Sequence, residues 1–406
     1  MTDNYDLIII GGGPAGLSAS IYGGRARLKT LVINKGTIGG MPNTTREIVN
    51  YPGYVNISGP DLMKDFKKHA ESFGVECLKD EVVNVDFSQN EKIIRTKKNK
   101  EITAKAVIIA CGSEPRLLNI PGEKRLRGNG VAYCATCDAE FFEGEDVVVV
   151  GSGDQAIEEG MFITKFARKV SVVVLHDEGI LDCNKVSAER ALNNEKIEFI
   201  WNSTIEEIMG EDNVERVRIK NLKTGSSSEL NCQGVFLFVG MIPATNFLKN
   251  SGVKMDQKGY IPVNDLMETN LEGVYSAGDN RVKYLRQVVS AAGDGATAAV
   301  AAERYIEEMN AFNTNVLQSN KKVLLTFFNA LNNESLEFCT QLEETNTELS
   351  ESYKIVKVDM ATKKSLAQQY GIEKAPSVVV LDKGQEITRL DCYGNKVNLK
   401  AQLQVQ

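Results

Sequence analysis

The chain has 406 residues, a formal net charge of −7 at neutral pH and eight scattered cysteines. That length suits two to three domains, each able to bury its own core. An acidic balance argues against nucleic acid as the main partner, since phosphate binding needs a basic surface. No apolar run approaches the ~20 residues that span a bilayer, so no membrane partner is expected. The chain enters a strand within its first ten residues, without a charged-then-apolar leader. Cysteines without a framework fit a reducing compartment, and the cytoplasm is the expected location.

Tyr5-Asp6-Leu7-Ile8-Ile9-Ile10 reads as a buried parallel strand. It runs into Gly11-Gly12-Gly13-Pro14-Ala15-Gly16 and then an apolar stretch that reads as a helix. This is G-x-G-x-x-G in its strand–turn–helix setting. Gly11 allows the tight turn, Gly13 lets the backbone approach a pyrophosphate, and Gly16 lets helix and strand pack closely. The next strand, residues 30–33, ends at Asn34, where an acid often holds the adenosine ribose. Asn34 could still hydrogen-bond a sugar. Small and polar residues then crowd a loop containing Gly39-Gly40 and Asn50-Tyr51-Pro52-Gly53.

Residues 59–76 read as an amphipathic helix, 81–105 as a small antiparallel sheet and 106–110 as another buried strand. Cys111 reads as a small buried hydrophobe. Cys134-Ala135-Thr136-Cys137-Asp138 pairs two thiols with an acid. That spacing reads as a redox pair or as half of a zinc site. The other six cysteines are isolated and the only histidines are His69 and His176, so no second half-site exists and redox is favoured over metal. The pattern then restarts: strand 146–150 leads into Gly151-Ser152-Gly153-Asp154-Gln155-Ala156, a second dinucleotide fingerprint of the form G-x-G-x-x-A. Its next strand, 170–175, ends at His176-Asp177-Glu178.

Residues 235–240 form one more core strand. Another runs from Gly273 to Asp279, followed by Arg286-Gln287 and an alanine-rich helix from Val288 to Tyr305. Asn310 to Asn320 is polar, lacks apolar periodicity and reads as a linker. Beyond it lies a small unit with strands at 323–328, 355–359 and 378–381 and helices at 334–350 and 364–370.

Residues 1 to about 310 resemble the low-molecular-weight thioredoxin reductases. The likeness rests on Gly11–Gly16, Asn50–Gly53, Cys111–Arg116, Cys134–Asp138, Gly151–Ala156, Gly240–Pro243, Gly278-Asp279 and Arg286-Gln287. The resemblance implies an α/β fold with two Rossmann-like (three-layer ββα) nucleotide-binding domains, the FAD domain being discontinuous, and usually a homodimer. The expected boundaries are 1–114 and 245–311 for the FAD domain and 115–244 for an NAD(P)-binding-like domain carrying the dithiol. A linker at 312–320 and a thioredoxin-like domain at 321–406 follow.

By the same resemblance FAD binds at Gly11, Gly13 and Gly16, with Asn50 near the flavin ring, Asp279 at the ribitol and Arg286-Gln287 along the cofactor. Cys137 faces the flavin, Cys134 attacks the substrate disulfide, and Asp138 supplies and takes protons. This is sound chemistry, because the thiolate is the nucleophile and its proton must move near neutral pH. Gly151, Gly153, Ala156 and Asp177 mark the second nucleotide site.

Two departures stand out, the first bearing on flavin hydrogen bonding and potential, the second on the electron donor. Met41 stands after the paired glycines where the family usually has Gln. NADPH-using members carry arginines after the second strand, where this chain has Asp177, Glu178 and Asp182. A phosphate within ~5 Å of a carboxylate is opposed by about a kcal/mol even at high dielectric, so NADPH is disfavoured. The donor is then NADH, for which Asp177 suits a free ribose hydroxyl, or reduced ferredoxin or another flavin, with the second site vestigial or reused.

Residues 321–406 resemble thioredoxin, with Ala375-Pro376-Ser377 matching its cis-proline turn. Asn332-Asn333-Glu334-Ser335 occupies the place of its C-x-x-C, so this domain is expected to be redox-inactive. Cys339 and Cys392 read as packing residues, and the domain as a docking or oligomerisation module or as a relic that steadies a dimer. The expected activity is an FAD-dependent disulfide reductase acting on thioredoxin or another small disulfide protein. A redox sensor or scaffold is the alternative of another class, and the intact thiol pair with its acid argues against it.

Overall fold

The structure, a computed structural model, describes residues 3–45 and 48–392. The chain divides into two compact units, Met1–Glu303 and Arg304–Gln406.

Leu7, Ile8 and Ile9 are wholly buried, because their strand, Asp3–Ile10, lies inside a sheet covered on both faces. The sheet runs Glu76–Lys79, Thr30–Asn34, Asp3–Ile10, Glu101–Ile109, Lys92–Thr96, Val82–Asp86, with Val274–Ser276 added beside Glu101–Ile109. The antiparallel strands expected at 81–105 are present but form no separate sheet. Glu101–Ile109 is long enough to pair in parallel with Asp3–Ile10 along its length and in antiparallel with Lys92–Thr96 at its start.

A second sheet, all parallel, runs Ile197–Ile200, Lys169–Val173, Asp146–Val150, Gly234–Leu237, Val131–Ala132. Three antiparallel strands, Ser203–Met209, Arg216–Asn221 and Ser227–Asn231, accompany it. The chain leaves the first sheet through Ser113–Pro115 and returns through Met241–Pro243, and these two crossings pair with each other. Both nucleotide fingerprints thus lie at the carboxyl ends of parallel strands, where open α/β sheets place ligands.

The second unit is a four-stranded mixed sheet ordered Tyr353–Asp359, Lys322–Phe328, Ser377–Asp382, Gln385–Asp391, with helices Asn333–Leu349 and Lys364–Gln369. The Ala375–Pro376 bond is cis. Cys339 and Cys392 are buried, as expected of packing residues. The expected linker is the main departure: helix Val288–Phe312 runs straight into a π-helical turn, Asn313–Leu317, and the second unit begins inside that helix. Phe312 and Val316, four residues apart, pack into the second unit's core beside Val323 and Phe327. Two apolar side chains among polar neighbours are too few to show a period in sequence. Residues 393–406 of the expected last domain lie outside the described residues.

Candidate functional site

A cavity of about 1250 Å³ lies in the first unit. That exceeds the ~300–1,000 Å³ of ordinary small-ligand pockets, so it suits an extended ligand. Its walls bring Gly11, Gly13, Asn34, Asp279, Arg286 and Gln287 together with Cys134, Cys137 and Asp138. Asn50 reaches the wall through Gln287, donating Nδ2 to Oε1 at 3.3 Å.

The first fingerprint turn is built by contact. Gly11 has φ +113°, and a Cβ there would stand 2.2 Å from the Ala110 carbonyl oxygen. A Cβ on Gly16 would meet the Gly11 carbonyl oxygen at 1.8 Å, so Gly16 supports the turn from behind. A Cβ on Gly13 would find no atom nearer than 3.9 Å, which leaves a cradle open for a ligand. Asn34 Oδ1 accepts the Gly12 N–H at 2.9 Å and Nδ2 donates to Gly36 O, so its side chain braces the turn it was expected to serve.

Asp279 Oδ1 and Arg286 Nε are buried without a partner among the described residues. Orphaned polar atoms in a cavity call for a ligand to satisfy them. They fit FAD: Gly11–Gly16 would hold its pyrophosphate, and Asp279 and Arg286 its polar chain. Burial raises the Asp279 pKa, against the pull of Lys283 and Arg286.

The loop bearing these residues is tied down by Asp294. Its carboxylate takes Arg281 at 2.8 and 2.7 Å, Lys283 at 2.7 Å and the Gly278 N–H at 3.0 Å. The Lys283 side chain is only 4% exposed. Asp294→Ala therefore strands a buried cation and should cost about 3–5 kcal/mol. Denaturant unfolding of the holoprotein measures this, and adding Lys283→Met should recover part of the loss.

Cys134 and Cys137 form a disulfide across the four-residue helix Ala135–Asp138. Gln287 Nε2 donates to Thr136 Oγ1 at 2.7 Å and lies 3.9 Å from Cys134 Sγ. Burial, and after it the charge of Glu159, pushes the Asp138 carboxyl up to about 6. The wholly buried Glu123 accepts the Tyr133 hydroxyl at 3.0 Å and the Leu118 and Asn119 N–H groups, which pins the residue just before the pair.

The second fingerprint has its strand, turn and helix, with Gly151 at φ +135° and Ala156 buried. Residues 182–184 lie over its turn. Asp182 N–H donates to Ser152 O at 2.9 Å, Asp182 Oδ2 accepts the Ser152 hydroxyl at 2.6 Å and sits 2.7 Å from His176 Nε2. Asp154 Oδ1 accepts both the backbone N–H and the Nδ2 of Asn184. Asp177 is ion-paired with Lys223.

Sequence reasoning missed Glu123, Glu159 and Asp294. For Glu159 a signal existed: Ala156, Ile157, Gly160 and Ile163 are the buried face of their helix, and Glu159 lies on that face, three residues after Ala156 and four before Ile163.

Two nucleotide folds meeting at one cavity with a redox disulfide define a class of flavin-linked disulfide oxidoreductases. Residues 5–295 match the pyridine nucleotide-disulphide oxidoreductase family, and residues 304–405 match thioredoxin. The chain belongs to the pyridine nucleotide-disulphide oxidoreductases, and among them to those of the thioredoxin reductase type. It is 48% identical over 316 residues to a thioredoxin reductase of Peptoclostridium litorale, covering 76% of this chain and 99% of that one. A Bacillus subtilis (strain 168) thioredoxin reductase is 44% identical over 306 residues, 75% of this chain and 96% of its own. The crystal structure of thioredoxin reductase from Streptococcus pyogenes MGAS5005 matches with a TM-score of 0.71 at 41% identity, covering 76% of this chain and all of that one. The protein is thus a flavoprotein oxidoreductase with a thioredoxin-like C-terminal domain, and its family implies FAD and a pyridine nucleotide. Among the described residues no helix is long and apolar enough to cross a membrane.

Proposed function

We propose that this enzyme reduces the disulfide of thioredoxin or a similar small protein, with electrons from a donor other than NADPH. The observation that carries this reading is the Cys134–Cys137 disulfide sharing one cavity with Asp138 and the cradle at Gly11–Gly13. FAD, when bound, would supply a two-electron carrier; Gly11, Gly13, Gly16, Asp279 and Arg286 would hold it, with Asn50 and Gln287 near it.

With the pair reduced, the Cys134 thiolate attacks one sulfur of the substrate disulfide. A mixed disulfide forms, and the other substrate sulfur leaves as a thiolate that takes a proton from Asp138. The Asp138 carboxylate then accepts the Cys137 proton, and Cys137 attacks Cys134 Sγ. The second substrate sulfur leaves and the Cys134–Cys137 bond is restored. Two electrons pass from the dithiol to the substrate.

Acidic residues at the second fingerprint support a donor other than NADPH, since carboxylates at 177, 178 and 182 repel a 2′-phosphate. The seating of 182–184 on the fingerprint turn and the pairing of Asp177 with Lys223 favour a donor that is no pyridine nucleotide, such as reduced ferredoxin. NADH at Asp177 is the second reading. The test is an oxygen-free stopped-flow titration of the holoprotein with NADPH, NADH and reduced ferredoxin, following the flavin absorbance. Slow bleaching by both nucleotides and rapid bleaching by ferredoxin is the expected result. Rapid bleaching by NADH alone moves the donor to NADH, and rapid, saturable bleaching by NADPH overturns the reading.

A further inference from the structure

We propose that Glu159, on the second fingerprint helix, is a positioning residue for the redox pair: its carboxylate holds the first turn of the Cys134–Cys137 helix and sets the electrostatic field at that helix's far end. The proposal rests on the disulfide-reductase reading above.

Glu159 Oε2 accepts the Ala135 N–H at 2.6 Å, a charge-assisted bond across 24 residues of sequence. Ala135 follows Cys134 directly and is completely buried. The four-residue helix has no cap of its own: Cys134 occupies the N-cap without a side-chain hydrogen bond, so the first N–H is satisfied from a different element. Gln155, one turn earlier on the fingerprint helix, donates Nε2 to Glu159 Oε1 at 3.3 Å and orients the carboxylate. The same negative charge faces Asp138, whose proton it helps retain after burial. Other charged groups lining the cavity are Glu114, Glu145, Asp154 and Glu158, with Asp279, Arg127, Lys283 and Arg286. Of all these, Glu159 is the one whose charge adds to burial at Asp138. One carboxylate therefore acts at both ends of the dithiol helix. It joins that helix to the very element that carries the second fingerprint.

The two actions separate by substitution. Glu159→Gln keeps an acceptor for Ala135 and removes the charge; Glu159→Ala removes both. The holoproteins are compared after reduction with dithiothreitol. Alkylation of Cys134 by iodoacetamide is followed against pH, with peptide mass mapping to separate it from Cys77. Protein-disulfide reduction is measured in parallel as a single turnover of the pre-reduced proteins freed of dithiothreitol. Both variants should show the acidic limb of the alkylation profile displaced to lower pH. Glu159→Ala should lose about tenfold in turnover, with Glu159→Gln recovering most of it, and flavin content should be unchanged. Profiles and turnover that match the unsubstituted protein in both variants overturn the proposal. If the unsubstituted protein fails to reduce protein disulfides, the disulfide-reductase reading falls instead, and the alkylation profiles still decide whether Glu159 acts on Cys134.

Discussion

Cys137→Ser should yield an enzyme that captures its substrate and cannot let it go. With Cys137 unable to attack, the Cys134 thiolate can still open a protein disulfide, but the mixed disulfide has no resolving thiol. Turnover should fall by about 10⁴-fold or more, the scale on which loss of a nucleophile acts in other enzymes. A covalent adduct should build up, visible by mass under non-reducing conditions and released by dithiothreitol. Cys134→Ser should lose activity to the same extent and trap nothing. Because Gln287 and Thr136 lie against Cys134 Sγ, the geometry leaves open to a partner only what those groups do not cover. Trapping by Cys134→Ser in place of Cys137→Ser would reverse the two roles, and near-normal turnover by either variant would remove the dithiol from the reaction.

Asp138→Asn should trade activity for stability. Proton transfer by a positioned group contributes about 10²–10⁴-fold, and an amide cannot perform it, so turnover should drop within that range. Stability should move the other way. Burial and Glu159 raise the carboxyl from 3.8 to about 6 in the folded protein. The folded state therefore holds this proton more tightly than the unfolded chain does. The resulting stability is fully present below pH 3.8 and disappears as pH rises through about 6. Above that, the ionised carboxylate is a burden of roughly 3 kcal/mol, two pH units at about 1.4 kcal/mol each. The neutral, isosteric amide escapes it. Denaturant unfolding should find Asp138→Asn more stable than the parent by up to that amount at pH 7.5, with the difference vanishing near pH 4. A variant less stable at pH 7.5 would mean that the ionised carboxylate is not the burden its burial implies.

The thioredoxin-like unit is expected to bear on neither result. Its place for a thiol pair holds Asn332-Asn333-Glu334-Ser335, with Ser335 buried, and both of its cysteines lie in its interior. It is therefore expected to contribute no thiol that resolves a mixed disulfide.

The amino-acid sequence by itself determined the elements and their order. Ile8–Ile10 and Val147–Val150 are apolar on both faces because their strands are covered on both sides, and glycines follow each because the turn admits no Cβ. Such constraints are local and leave a local trace, as does the spacing of Cys134 and Cys137. Only the tertiary structure decided which distant groups meet. Glu159 reaches Ala135, Asp294 gathers Arg281 and Lys283, Asp182 folds back on Ser152, and Gln287 links Asn50 to Thr136. The helical turn at 313–317 belongs with these, since Val316 in it and Phe312 just before it find their partners only in the folded second unit. A hydrogen bond or ion pair between residues far apart imposes no period on the chain. It depends on where the sheets place the ends of their strands, and a carboxylate that will be buried looks, in the sequence, like any on the surface.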